Sequence, residues 1–61
     1  MLKFILNGLI VFQKKLSNRE YFNYSNKVPG DIINGNTKKF IIKDIFIDLN
    51  EIRIELMEWR R

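Results

Sequence analysis

The chain has 61 residues, 46% of them apolar, and a net charge of +4, with neither cysteine nor histidine. Disulfides and thiolate metal sites are thereby excluded, and the commonest metal ligand and general base is missing. A chain this short is at most one domain, residues 1–61. Its apolar burial barely offsets the entropy of ordering it, so a dense aromatic core or a homodimer is expected to complete its stability.

Ten Ile and no Ala tilt the composition toward strands. From the start, Met1–Phe12 is very apolar. Asn7-Gly8 interrupts it and Gln13-Lys14-Lys15 stops it, so it fits neither a signal peptide nor the roughly 20 apolar residues of a membrane span. The expectation is a soluble, cytoplasmic protein with no membrane contact. Asn-Gly between two apolar runs predicts a hairpin joining Leu2–Leu6 to Leu9–Phe12, because both turn positions take positive φ. A plain loop, or a bulge in one continuous strand, is the competing reading.

Leu16–Asn26 is polar and aromatic. Ser17-Asn18-Arg19-Glu20 could open a short helix, but the segment reads as loop plus a short strand around Tyr21–Tyr24. Val28-Pro29-Gly30-Asp31 has the Pro and Gly positions of a type II turn. A second Asn-Gly pair, Asn34-Gly35, should join Asp31–Ile33 to the breaker-free run Lys38–Asp48, which reads as a strand partly buried on both faces. Ile52–Trp59 alternates apolar and polar side chains as a half-buried strand does. A helix competes there: Asp48-Leu49-Asn50-Glu51 matches a capping box, with Ile47 and Ile52 as its hydrophobic staple. The strand is preferred, since Ile-Arg-Ile is a poor helix start.

The sum is a mainly β fold, a small antiparallel barrel or curled sheet, with a short C-terminal helix in place of the last strand as the alternative. The stretch from Pro29 to Leu56, with its Pro-Gly-Asp turn, short hairpin and two long strands, resembles the body of SH3-like small barrels. That resemblance covers about half the chain and implies architecture alone.

Ser17, Ser25, Thr37 and the lysines have no nucleophile motif around them, and the three glycines form no phosphate-binding loop. Asp44, Asp48 and Glu51 could offer oxygens to a hard cation such as Mg²⁺. They lack the spacing of a calcium loop and read as solvated charges guarding a sheet against edge pairing. No catalytic residue, metal or cofactor is assigned, and the chain is not expected to be an enzyme.

The charge is split. Residues 1–30 carry Lys3, Lys14, Lys15, Arg19 and Lys27 against Glu20 alone. Within 44–58, Asp44, Asp48, Glu51, Glu55 and Glu58 oppose only Arg53. A dipolar chain favours a protein partner over nucleic acid, which wants a continuous basic stripe. Arg19, Tyr21, Phe22, Tyr24, Trp59 and Arg60 are the candidate partner-binding residues, of the types enriched in interface hot spots. A plain packing role would instead place Phe22 in the core, with Tyr21 and Tyr24 flanking it. Small size, an abundance of residues with AT-rich codons (Ile, Lys, Asn and Phe), as in low-GC bacteria and their phages, and absent catalytic groups together suggest a phage or mobile-element inhibitor of the anti-defence type that blocks a host protein. The alternative is a nucleic-acid-binding small barrel using Lys14, Lys15, Arg19, Lys38 and Lys39.

Overall fold

A computed structural model describes residues 1–35 and 37–59. Five strands and one helix follow in order: β1 (Leu2–Leu6), β2 (Leu9–Lys14), α1 (Asn18–Ser25), β3 (Ile32–Asn34), β4 (Lys39–Asp48) and β5 (Glu51–Glu58). The strands form one sheet, ordered β2-β1-β5-β4-β3. It is the small curled sheet that the sequence leads one to expect, bent into a half-barrel. Its pairing is mixed, however. Every neighbour pair is antiparallel except β1 and β5, which run parallel at the centre, Leu2 opposite Ile52 and Leu6 opposite Leu56. The stretch from Pro29 to Leu56 forms the antiparallel β3-β4-β5 portion.

Local chemistry explains the turns. Asn7 (φ 54°) and Gly8 (φ 81°) supply the two positive φ angles of the first hairpin. Gly30 sits at φ 97° after Pro29, and the Asp31 N–H donates to the Val28 carbonyl at 3.2 Å, closing the type II turn. The β3–β4 hairpin forms, but not as a two-residue turn: Asn34 still pairs with Lys39, and the Gly35 N–H donates to the Lys38 carbonyl at 2.8 Å. Leu49-Asn50 joins β4 to β5, so the C-terminal segment is the strand, and its helix alternative falls.

Two bulges set which side chains face inward. In β4 the register shifts between Ile42 and Asp44. Strict alternation from Phe40 and Ile42 would send Asp44, Phe46 and Asp48 into the core. The extra residue, Lys43, turns Ile45 and Ile47 inward instead, opposite Ile54 and Ile52. In β2 the shift falls at Val11 and brings Phe12, not Gln13, onto the inner face. Phe12 stacks there on Phe4 with ring centroids 5.6 Å apart. Bulges also bend strands, which suits the curl.

The fully buried core is Leu2, Ile42, Ile52, Ile54 and Leu56. Phe4, Leu6, Leu16, Tyr21, Tyr24, Ile33, Phe40 and Ile45 pack against it.

The expected loop and short strand around Tyr21–Tyr24 is the helix α1. Ser17 caps it: the Glu20 N–H donates to Ser17 Oγ at 3.2 Å, and the Ser17 N–H donates to Glu20 Oε1 at 3.3 Å. Eight residues make a marginal helix alone, so contacts with the sheet decide the outcome. Tyr21 Oη donates to the Asp48 carbonyl at 2.9 Å, and Tyr24 meets Phe4 edge-on at 6.2 Å. Tyrosines three apart reach one face of a helix, whereas a strand would set them on opposite faces.

Candidate binding surface

The helix sorts the aromatic cluster by direction. Tyr21 and Tyr24 turn inward and Phe22 points out, 67% exposed, the reverse of the packing arrangement considered for that segment. Arg19 is also exposed and lies three residues before Phe22, on the same helix face. The Phe22 carbonyl accepts from Ser25 Oγ at 2.8 Å and from Asn26 Nδ2 at 3.0 Å, which ties down the end of the helix beneath this face.

Trp59 lies elsewhere. It follows β5 at the end opposite the Asp48–Glu51 turn that Tyr21 touches, with the Lys39 ammonium 5.6 Å from its ring centroid. Arg60 lies outside the described residues. Of the six candidate residues, Arg19 and Phe22 therefore share a surface, Tyr21 and Tyr24 support it from below, and Trp59 stands apart.

Two features were not singled out in the sequence. The first is an open groove of about 460 Å³ on the inner face of the half-barrel. The helix covers one end of that face, and Tyr24 bounds the groove. Phe4 and Leu56 line it from the central strands, Val11 and Phe12 from β2, and Ile33 and Phe40 from the β3 side. Gly35 lets the β3–β4 loop close on Phe40, since a Cβ there would lie 3.0 Å from the ring. The second is β2 itself. All six of its residues are exposed, and Leu9, Ile10, Val11 and Phe12 are 70, 53, 54 and 47% exposed. The signal was legible: four successive apolar residues have apolar side chains on both faces, which an edge strand cannot bury.

Several cations are answered in place. Lys3 reaches Glu51 at 2.7 Å, with Arg53 on the other Glu51 oxygen at 3.2 Å, and Lys38 reaches Glu58 at 2.7 Å. Lys14 pairs with Glu20. That hydrogen-bonded pair holds the Glu20 carboxyl below the usual carboxylate range and lifts the Lys14 ammonium. The hydrogen bond from Lys3 likewise lowers Glu51. Of the five cations considered for phosphate contact, Lys14 and Lys38 are thus engaged with carboxylates and Lys39 with Trp59. Asp44, Asp48 and Glu51 do not converge: no group of three potential metal ligands forms among the described residues.

No helix among the described residues is long and apolar enough to cross a membrane. Comparison of the chain with protein-family models, curated proteins and solved structures gives no match.

Proposed function

We propose that this chain is a non-enzymatic interaction protein that binds and blocks another protein, an inhibitor of the anti-defence type made by a phage or mobile element and acting in the host cytoplasm. The observation that carries the reading is the apolar groove left open on the inner face of the sheet. A partner's apolar side chain entering the groove would form the apolar centre of a protein interface. Arg19 and Phe22, exposed on the outer face of the helix whose Tyr24 bounds the groove, are hot-spot residue types within reach of a partner that wraps the helix. The in-place pairing of Lys14 and Lys38 favours this over phosphate binding. The protein is proposed to work as a homodimer.

The test is phage plaquing on a host with an active defence system, with and without expression of the chain. Inhibition predicts at least a tenfold rise in plaquing, reduced by the double variant R19A/F22A. Unchanged plaquing across the host's defence systems would overturn the anti-defence role. Binding to DNA at low salt that weakens steeply with added salt would move the reading to nucleic acid.

A further inference from the structure

The half-barrel has two free edges, and they are built differently. β3 is three residues long and follows directly on the Pro29-Gly30 turn. Shortness and a nearby proline are among the ways sheets blunt their edges. β2 is six residues long, carries no charge from Leu9 to Gln13, and is exposed throughout; the bulge at Val11 is its one edge-blunting feature. Its backbone is paired with β1 on one side only. One strongly blunted edge and one longer, apolar edge permit a closed pair, whereas two such longer edges would permit a filament.

We infer that β2 is a homodimer interface, in which the β2 strands of two copies pair antiparallel about a two-fold axis at Val11 and join two five-stranded sheets into one of ten. Charge selects a second copy in this orientation. The cations of β2 and its exit, Lys14 and Lys15, lie at one end only, and the other end is the neutral Asn7-Gly8-Leu9. A parallel pairing would set the lysines side by side. The antiparallel one places each Lys14 against the partner's neutral Gly8-Leu9 end. The two Lys14 residues are then about six residues, or roughly 20 Å, apart along the strands, and each is already matched by its own Glu20. The apolar area is small. Four side chains, each about half exposed or more, offer roughly half of the ~800 Å² per partner of a standard interface, so the main-chain hydrogen bonds of the joined edges carry a large part of the pairing. The dimer is accordingly concentration-dependent. Val11 and Phe12 also line the groove, so pairing sets the two grooves side by side across the axis, a two-fold symmetric surface for the proposed partner. The dimer itself does not depend on the inhibitory role, and its test is independent of plaquing.

Light scattering or sedimentation of the full chain should show a mass of about twice 7.4 kDa at ~100 μM and a monomer on dilution. Val11→Lys should give a monomer at all concentrations, while Ile32→Lys, on the β3 edge, should leave the dimer intact. Because the chain has no cysteine, Val11→Cys should cross-link into a disulfide dimer on mild oxidation, and Ile32→Cys should not. This second readout stands even if Val11→Lys fails to fold. A monomeric wild type at ~100 μM would overturn the inference. So would a mass that grows beyond the dimer, or cross-linking through Ile32→Cys but not Val11→Cys.

Discussion

The β1–β2 and β4–β5 hairpins are made alike and fare differently. Each joins two strands through a two-residue turn, and each has one bulge, at Val11 in β2 and at Lys43 in β4. Yet β4–β5 supplies Ile42, Ile52, Ile54 and Leu56 to the buried core, and β1–β2 supplies Leu2 alone. Apolar content does not separate them, since Leu9–Phe12 is as apolar as any stretch of β4. Position does: β5 has neighbours on both sides and the helix over its inner face, while β2 is a rim. The same device, a bulge, therefore protects a core in one hairpin and tilts an exposed strand in the other.

The largest effect is expected from setting Ile54→Ala against Phe12→Ala. The first opens a cavity in the shared core and should cost about 2–5 kcal/mol in urea unfolding. The second loses the Phe4 stacking and part of a rim contact and should cost about 1 kcal/mol. Deleting each bulge residue comes next. With Lys43 gone, Ile42, Asp44 and Ile45 alternate regularly, so the apolar face is kept and only the bend of β4 is lost; the urea transition should stay cooperative with a lower midpoint. Without Val11 the same loss falls on a rim strand, and the midpoint should fall less.

Smaller still is the anchoring of α1, which ties the β2 exit to the helix. Ser17→Ala should cost about 1 kcal/mol through loss of the cap. Glu20 is lowered below its ordinary 4.5, so its stabilising effect is present above that value and fades as pH falls through its folded-state pKa. Lys14, raised above 10.5, acts in the opposite sense: its contribution is present below that value and is lost as pH rises through its folded-state pKa. Helical circular dichroism should fall modestly at both extremes, less in E20Q at the acid end.

Where the determinants are local, the fold is legible in the residues. Asn7-Gly8 and Pro29-Gly30 mark turns because few other residues tolerate those backbone angles, and the alternation of Ile52, Ile54 and Leu56 marks β5. Less legible is whatever depends on distant partners. Nothing near Leu2–Leu6 announces that it will lie parallel to a strand some fifty residues on. The capping box at Ser17 and Glu20 was visible, but aromatic residues favour strands, and only the sheet beneath Tyr21 and Tyr24 decides for a helix. That decision also reverses Phe22. The candidate patch was therefore half readable: Arg19 and Phe22 could be named, but their separation from Trp59 follows from topology. The groove arises from curvature, which no short segment encodes.

The parallel pairing of β1 with β5 sets a timetable for biosynthesis. The central strand of the sheet is the last of the five to be made. At about 5–20 residues per second, the 36 residues between Lys14 and Glu51 take roughly 2–7 s to add. Throughout that interval the β1–β2 hairpin has no third strand to lie on, and an isolated hairpin is marginal in water. Its apolar faces are then open to any passing chain, including a sibling on the same message. A nascent chain halted before β5 would carry the stickiest part of the molecule without the strand that makes it a fold.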